Sequence, residues 1–541
     1  MKRNQQNNAA RRQFLIKGSA ALGALSISPL LAQGMMGMNH GDMNMGSMDH
    51  SMMSGMDHGM MGSDMSIPPM VREGYQLGAN KLTARDIEVM KNANKNLMPV
   101  EAISSGNVLP DLPLLKNESA VQGVFKGTLR VQKAKVSLAP GTTTEFWGYN
   151  GMLPGPQIVV YEGDKVSIEV MNELDEETTV HWHGLLVPAS EDGNPQDPIK
   201  PGGRRTYQFD IPKDTAGTYW YHPHAHGSVA KQVFMGLAGT FIVKKRDDIF
   251  ADLPERHLLI SDLKLHADGK IAENSFFDWM NGREGQFTLI NGALNPIINI
   301  DQPTRFRIWS AGSSRYLNLD FSFADSYLIA TDGGYLEAPQ KLDVILLSPG
   351  ERIEVIVIPS RTGQIKFNNL SYNRQKMGPV SVTPTYSMAT IEMTKSPQDF
   401  QMPTAITNLP GYAPATKSHY IEYTEVMNPN QLLFLVNGKM HDPNRIDEVV
   451  EKDAVEEWIV FNNSHMDHNF HIHGTQFYVI EREMSGIVNQ SKFKAFKDTI
   501  NLKPYERVKL VMKQDFTGLR MYHCHILEHE TLGMMGQLET K

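Results

Sequence analysis

The chain has 541 residues, enough for roughly two to four domains with cores of their own. Its composition, 41% hydrophobic and 21% charged, is that of an ordinary globular protein and excludes fibrous and membrane-saturated classes. A net charge of −8, with no basic run of useful length, argues against a nucleic-acid partner.

Residues 1–33 read as a twin-arginine signal peptide. Arg11-Arg12-Gln13-Phe14-Leu15-Ile16-Lys17 precedes the weakly apolar run GSAALGALSISPLLA, which is too short and too rich in Ser and Gly for a membrane anchor. This predicts that the twin-arginine machinery exports an already folded protein to the periplasm, with no stable membrane insertion. Export permits disulfides, yet a single cysteine, Cys524, cannot form one within the chain.

Residues 34–65 form a low-complexity segment in which twelve residues are Met, joined by His40, His50 and His58. It has no β-branched or aromatic residue to build a core and is expected to be disordered when empty. Thioethers suit Cu(I), so a soft-metal tether is expected here. Residues 66–115 read as a connector with one short helix near LTARDIEVMKNA. From about 116 the texture changes to short apolar alternations such as KVSIEVMNEL, TRFRIWSAG, RIEVIVIP and RVKLVMK, broken by Gly, Pro, Asn and Asp. These predict an all-β protein of three sandwich or barrel blocks, at about 116–245, 246–405 and 412–541.

Eleven of the 19 histidines fall in four clusters, two in the first block and two in the last. They are His181-Trp182-His183, His222-Pro223-His224-Ala225-His226, His468-Asn469-Phe470-His471-Ile472-His473, and the stretch RMYHCHILEHETLGMM. Each contains an H-x-H pair. On a strand, residues i and i+2 share a face about 6.6 Å apart, so paired imidazoles can converge on one metal or on adjacent metals. In an extended HCH, His523 and His525 face one side and Cys524 the other, so one segment reaches two metal sites. Cys524, His529 and Met534, with one more histidine, make the His₂Cys set with a weak axial Met of a blue-copper centre. Structural zinc would favour more thiolates and gains nothing from Met534.

These clusters, together with GYNGMLPGP, HWHGLLVP, GTYWYHPHAHG, VFMGLAGTFIV and DHNFHIHGTQF, resemble the copper signatures of three-domain bacterial multicopper oxidases across about 116–541. Within that family the chain looks closest to periplasmic cuprous oxidases of copper tolerance. The resemblance implies three cupredoxin-like Greek-key domains and four copper ions per chain. It implies type 1 copper at His468, Cys524, His529 and axial Met534, and type 2 copper at His181 and His471. The type 3 pair would be held by His183, His222, His224, His473, His523 and His525, with His226 outside the ligand set. It further implies a monomer that takes electrons singly from Cu(I) or another one-electron donor and reduces O2 to two waters, with protons delivered through Asp192 and Glu530.

For the donor, Met466 is the candidate holder of substrate Cu(I), with His465 and Asp467 beside it and Met377 and Met440 as weaker candidates. Ser464 stands where those relatives carry a carboxylate, and 400–435 leaves no room for their Met-rich insertion. Both departures favour the alternative, a laccase-like oxidase of phenols or of Fe(II)/Mn(II). A non-enzymatic exported scaffold of the same fold is disfavoured by the complete ligand set.

Overall fold

The computed structural model describes residues 67–394 and 400–541. The expected signal peptide and Met/His-rich segment lie outside the described residues. The described chain is an all-β fold built from three pairs of sheets. In the first block a four-stranded sheet runs in the order Thr144–Tyr149, Val124–Val136, Lys165–Asn172, Arg204–Asp210. A second sheet runs Gly155–Tyr161, Gly239–Lys244, Gly217–His222, His181–His183. Strand Val124–Val136 shows why these residues form a sandwich: Phe125, Leu129 and Val131 are buried while Lys126 and Arg130 face solvent, the period-two pattern of a half-covered strand. The two sheets close on one core that includes Leu129, Ile168, Trp182, Tyr207 and Phe241.

The middle block stacks a seven-stranded sheet on a five-stranded one. Its strand Arg352–Ile358 is buried along its whole length. The last block pairs an eight-stranded sheet with a five-stranded one that carries His468–Ile472 and Gly518–His523 as neighbours. Its core holds Trp458, Phe470, Met466, Cys524 and Met534.

The stretch expected as a connector is more than a spacer. The helix falls at Ala84–Asn92, started by a capping box between Thr83 and Asp86. Upstream, Gln76–Leu77 adds to the edge of the last block's large sheet, with Gln76 opposite Gln431. Downstream, single bridges tie Val108 to Ile297 and Leu114 to Gln157, in the middle and first blocks. One extended segment thus stitches all three blocks, and apolar periodicity could not reveal it because its strands are only two residues long. Among the described residues, no helix is long and apolar enough to cross a membrane.

Candidate metal centre

All four histidine clusters meet where the first and last blocks face each other. Strand His181–His183 pairs antiparallel with Gly217–His222, setting His181 opposite His222. Strand His468–Ile472 pairs with Gly518–His523, setting His471 opposite His523. The two H-x-H strand ends then confront each other: His181 stacks on His473 with centroids 3.7 Å apart, and His183 on His471 at 3.9 Å. Every one of these rings is fully buried.

Three groupings emerge. His181 Nε2 lies 3.4 Å from His471 Nε2. His224 Nε2 and His473 Nε2 each lie 3.1 Å from His523 Nε2. His183 Nδ1 lies 3.4 Å from His222 Nε2, with the His525 ring 5.0 Å from His183 and 5.3 Å from His222. Two nitrogens bound to one tetrahedral ion at about 2.0–2.1 Å are separated by roughly these distances. Burial drives the pKa of His183, His222, His224, His473 and His525 well below the usual imidazole value, and that of His471 to about 4. Neutral rings present lone pairs, as metal ligation requires.

The outer partners decide which nitrogen is free. His181 and His471 donate from Nδ1 to the carbonyls of Asp192 (3.0 Å) and Asp498 (2.9 Å). His222 donates from Nδ1 to the Pro223 carbonyl, and His473 from Nδ1 to Asp192 Oδ2, both at 2.9 Å. All four therefore turn Nε2 inward. His183 is reversed: its Nε2 is held by Asp498 Oδ1 at 3.0 Å, leaving Nδ1 for the cluster. Both ring nitrogens of His525 are buried without a hydrogen-bond partner. An orphaned neutral imidazole among imidazoles is costly unless a cation completes it. The donor set fits a group of soft or borderline metal ions.

Cys524 projects to the other side. Its Sγ lies 3.5 Å from His468 Nδ1 and 3.9 Å from His529 Nδ1, and those two nitrogens are 3.2 Å apart. His529 donates from Nε2 to the Met280 carbonyl and His468 from Nε2 to Glu425 Oε1 at 2.8 Å, so both aim Nδ1 at the thiol. Burial alone would lower the His468 pKa, but Cys524 and Glu425 outweigh it and hold it up to about 9. Met534 is buried in the same core, its carbonyl accepting from the Cys524 amide at 3.1 Å. The strand ends at His523, and the short helix Leu527–Thr531 that follows carries His529 and Glu530 back towards the two sites.

Two family profiles described as "Multicopper oxidase" match residues 130–248 and 412–541, the stretches that carry the four clusters. The Staphylococcus aureus protein "Multicopper oxidase mco" is 34% identical over 424 residues, covering 76% of this chain and 88% of its own length. The chain belongs to the multicopper oxidase family. The solved structure "Multicopper oxidase from Campylobacter jejuni: a metallo-oxidase" is 44% identical, with a TM-score of 0.80 over 83% of this chain and 98% of that one. The Escherichia coli "Cell division protein FtsP" is 28% identical over 428 residues, 74% of this chain and 86% of its own.

In this multicopper oxidase, both carboxylates picked from sequence touch the imidazole cluster. Glu530 Oε1 lies 3.2 Å from His224 Nε2 and Oε2 lies 3.1 Å from His523 Nδ1. Burial alone would raise the Glu530 pKa, but these imidazoles outweigh it and lower it. Asp192 is fully buried against His181 and His473. His226 is exposed and stacks on His441 at 5.0 Å, apart from the cluster. The substrate candidates fare differently. Met466 is fully buried in the last block's core, so its thioether does not meet an ion arriving from solvent. Met377 is also buried, and Asp467 is engaged by Tyr372 Oη at 2.6 Å. His465 is open, 48% exposed, and Met440 is half-buried.

Sequence reading missed three groups. Asp498 anchors His183 and His471 and pairs with buried Arg352 at 2.6 Å. The Asn469 carboxamide oxygen accepts the His525 amide at 2.7 Å and lies 3.4 Å from Cys524 Sγ, touching both sites at once. Glu425 caps His468. No sequence signal marks Asp498 or Glu425, because Asp498 stands just before strand Thr499–Leu502 and Glu425 on strand Lys417–Asn428, both outside the histidine motifs. A carboxylate does stand beside the Cys524 site, but it comes from strand Lys417–Asn428 rather than from position 464.

Proposed function

We propose that the chain is a metal-ion oxidase that takes electrons one at a time from Cu(I) and uses four of them to reduce O2 to two waters, in periplasmic copper tolerance after twin-arginine export. His468, Cys524, His529 and Met534 would hold the type 1 copper, and His181 and His471 the type 2 copper. His183, His222 and His525 would hold one type 3 copper, and His224, His473 and His523 the other. The domains would run 116–245, 246–405 and 412–541. Bound copper supplies one-electron transfer at the thiolate site and four-electron reduction of O2 at the three-copper site. Cys524, joined by peptide bonds to His523 and His525, is the wire between them. Glu530, placed between His224 and His523, would take up a proton and hand it on beside the site of O2 reduction, and Asp192, which fixes His473, would relay a second one.

The observation that carries the choice of donor is Glu425. One of its oxygens bonds the outer edge of His468; the other, enclosed and without a hydrogen bond, lies 3.3 Å behind half-exposed His465, the group an arriving ion meets first. Met427, two residues along the same strand face, is 44% exposed. Carboxylate, imidazole and thioether suit a small cation and offer nothing to a neutral phenol. The test compares oxygen uptake with Cu(I), Fe(II) and a neutral phenol. Glu425→Gln is expected to lower kcat/KM for both ions by about tenfold or more, equivalent to ~1.4 kcal/mol of lost transition-state stabilisation. Loss of phenol turnover to the same degree, or unchanged ion turnover, rejects Glu425 as the docking group. Removing residues 34–65, the proposed Cu(I) tether, is expected to lower Cu(I) turnover a few-fold at scarce copper, and unchanged kinetics there would eliminate the tether.

A further inference from the structure

His468 has a second neighbour that the metal-ion reading leaves without a role. Tyr316 Oη donates to the His468 carbonyl at 3.1 Å. Its buried ring stacks on Tyr372, with centroids 6.0 Å apart and an interplanar angle of 13°. Both rings line a cavity of ≈ 190 Å³. Pockets for drug-sized ligands occupy about 300–1,000 Å³, so this one takes a single small ring.

The cavity wall is cationic. Arg315, Arg374 and Lys376 line it against one carboxylate, Glu284. Arg315 is committed to Asp262 and the Gly285 carbonyl, both at 2.6 Å. Lys376 Nζ reaches Glu284 Oε1 at 2.5 Å and keeps further protons to donate. The Arg374 guanidinium lies 4.6 Å over the Tyr316 ring, and its Nε and Nη2 are enclosed without a hydrogen-bond partner. With Arg315 answered by Asp262, Glu284 alone is shared by Lys376 and Arg374 Nη1 (3.4 Å), and burying the unmatched Arg374 donors is unfavourable until an anion arrives. Exposed Gln375, Ser381 and Val382 form part of the wall and open it to solvent.

We propose that this cavity is a second electron inlet, separate from the Glu425 edge, for small aromatic donors that carry a carboxylate, of the hydroxybenzoate class. It rests on the oxidase reading above and adds a donor class to it. The carboxylate binds Lys376 with the Arg374 charge behind it, and the ring packs against Tyr316 and Tyr372. Each phenol gives up one electron and its hydroxyl proton and leaves as a phenoxyl radical. The proton passes to water at the cavity mouth, and the electron crosses the Tyr316 hydrogen bond and His468 to the thiolate centre. Four such donors supply the electrons that, with four protons, turn one O2 into two waters.

The experiment uses the copper-loaded full chain and three probes: benzoate, which is not oxidised, and the pair syringate and methyl syringate, which differ in charge. Benzoate is expected to bind saturably by calorimetry and to compete with syringate but not with Cu(I). Syringate is expected to exceed its ester in kcat/KM by about tenfold, and Lys376→Gln to remove most of that difference and weaken benzoate binding similarly. Tyr316→Phe, which keeps the ring and loses the hydroxyl bridge, is expected to lower kcat for syringate while leaving benzoate affinity in place. The inlet is overturned if benzoate does not bind the unaltered protein, if acid and ester turn over equally, or if benzoate inhibits Cu(I) and syringate oxidation alike. Benzoate binding by a protein that consumes no oxygen with any donor would count against the oxidase reading while supporting the anion site.

Discussion

The two candidate metal sites share the segment His523-Cys524-His525 and differ in how they meet the outside. Around the imidazole cluster, every ring is buried and the outer partners of five of them are backbone carbonyls or the buried carboxylates Asp192 and Asp498. Around Cys524, one ligand edge runs outward from His468 through Glu425 to His465, and a carbonyl of the same histidine is tied to Tyr316. On the oxidase reading proposed above, the inner site would keep water and stray reductants from a reaction that needs four electrons, and the outer site would be the one a donor reaches. Asp498 shows how firmly the inner site is set: it is paired with Arg352 in the interior, and removing one half of such a pair costs about 3–5 kcal/mol.

This contrast can be broken from the inside first. Glu530→Gln keeps the shape beside His224 and His523 but cannot release a proton. Loss of a positioned acid costs roughly 10²-fold or more in the proton-dependent step. Oxygen uptake is therefore expected to fall by that order with every donor, while reduction of the thiolate centre, followed as bleaching of its colour without O2, keeps its rate. A slowing of the bleaching itself would place Glu530 in the outer site instead. The Glu425→Gln variant described above is the mirror image, with a smaller effect confined to metal-ion donors.

The smallest effect sharpens the comparison by leaving both sites alone. His419 is buried on strand Lys417–Asn428, its Nδ1 2.7 Å from Glu448 and its Nε2 3.3 Å from Glu456. Burial alone would lower its pKa, but the two carboxylates outweigh it and raise it to about 9. A pKa higher in the folded chain means stabilisation that is complete below the unfolded value, about 6.5, and is lost as pH rises through about 9. His419→Gln is expected to cost on the order of 1–2 kcal/mol near pH 6 and little above pH 10, with the colour of the thiolate centre unchanged. A destabilisation independent of pH would contradict the charged pairing.

What was legible in the sequence follows from the same physics. The candidate donors were readable because residues two apart in extended chain share a face; only His181–His183 lies wholly on a strand, and the other three H-x-H pairs run off the strand ends at His222, Ile472 and His523, yet the spacing still marked them. The alternation in KVSIEVMNEL or TRFRIWSAG likewise announced the sandwiches. The groups that orient the donors were not readable. Asp498 meets His183 across 315 residues and Glu425 meets His468 across 43, and neither sits in a local pattern. Met466 misled for a related reason: nearness in sequence to His468 says nothing about which way a side chain faces, and this one faces the core. The cationic cavity likewise joins Arg315 to the 374–376 turn, a neighbourhood only the folded chain creates.

The measurement that bears most directly on the two-site account is Cys524→Ser, assayed together for metal content, colour and oxygen uptake. If one sulfur links the outer site to the inner one, the variant keeps the copper held by imidazoles and loses its blue colour. It then consumes almost no oxygen with Cu(I), Fe(II) or a phenol. A serine variant that still reduces O2 at the parent rate would show that electrons reach the histidine cluster without passing through this residue.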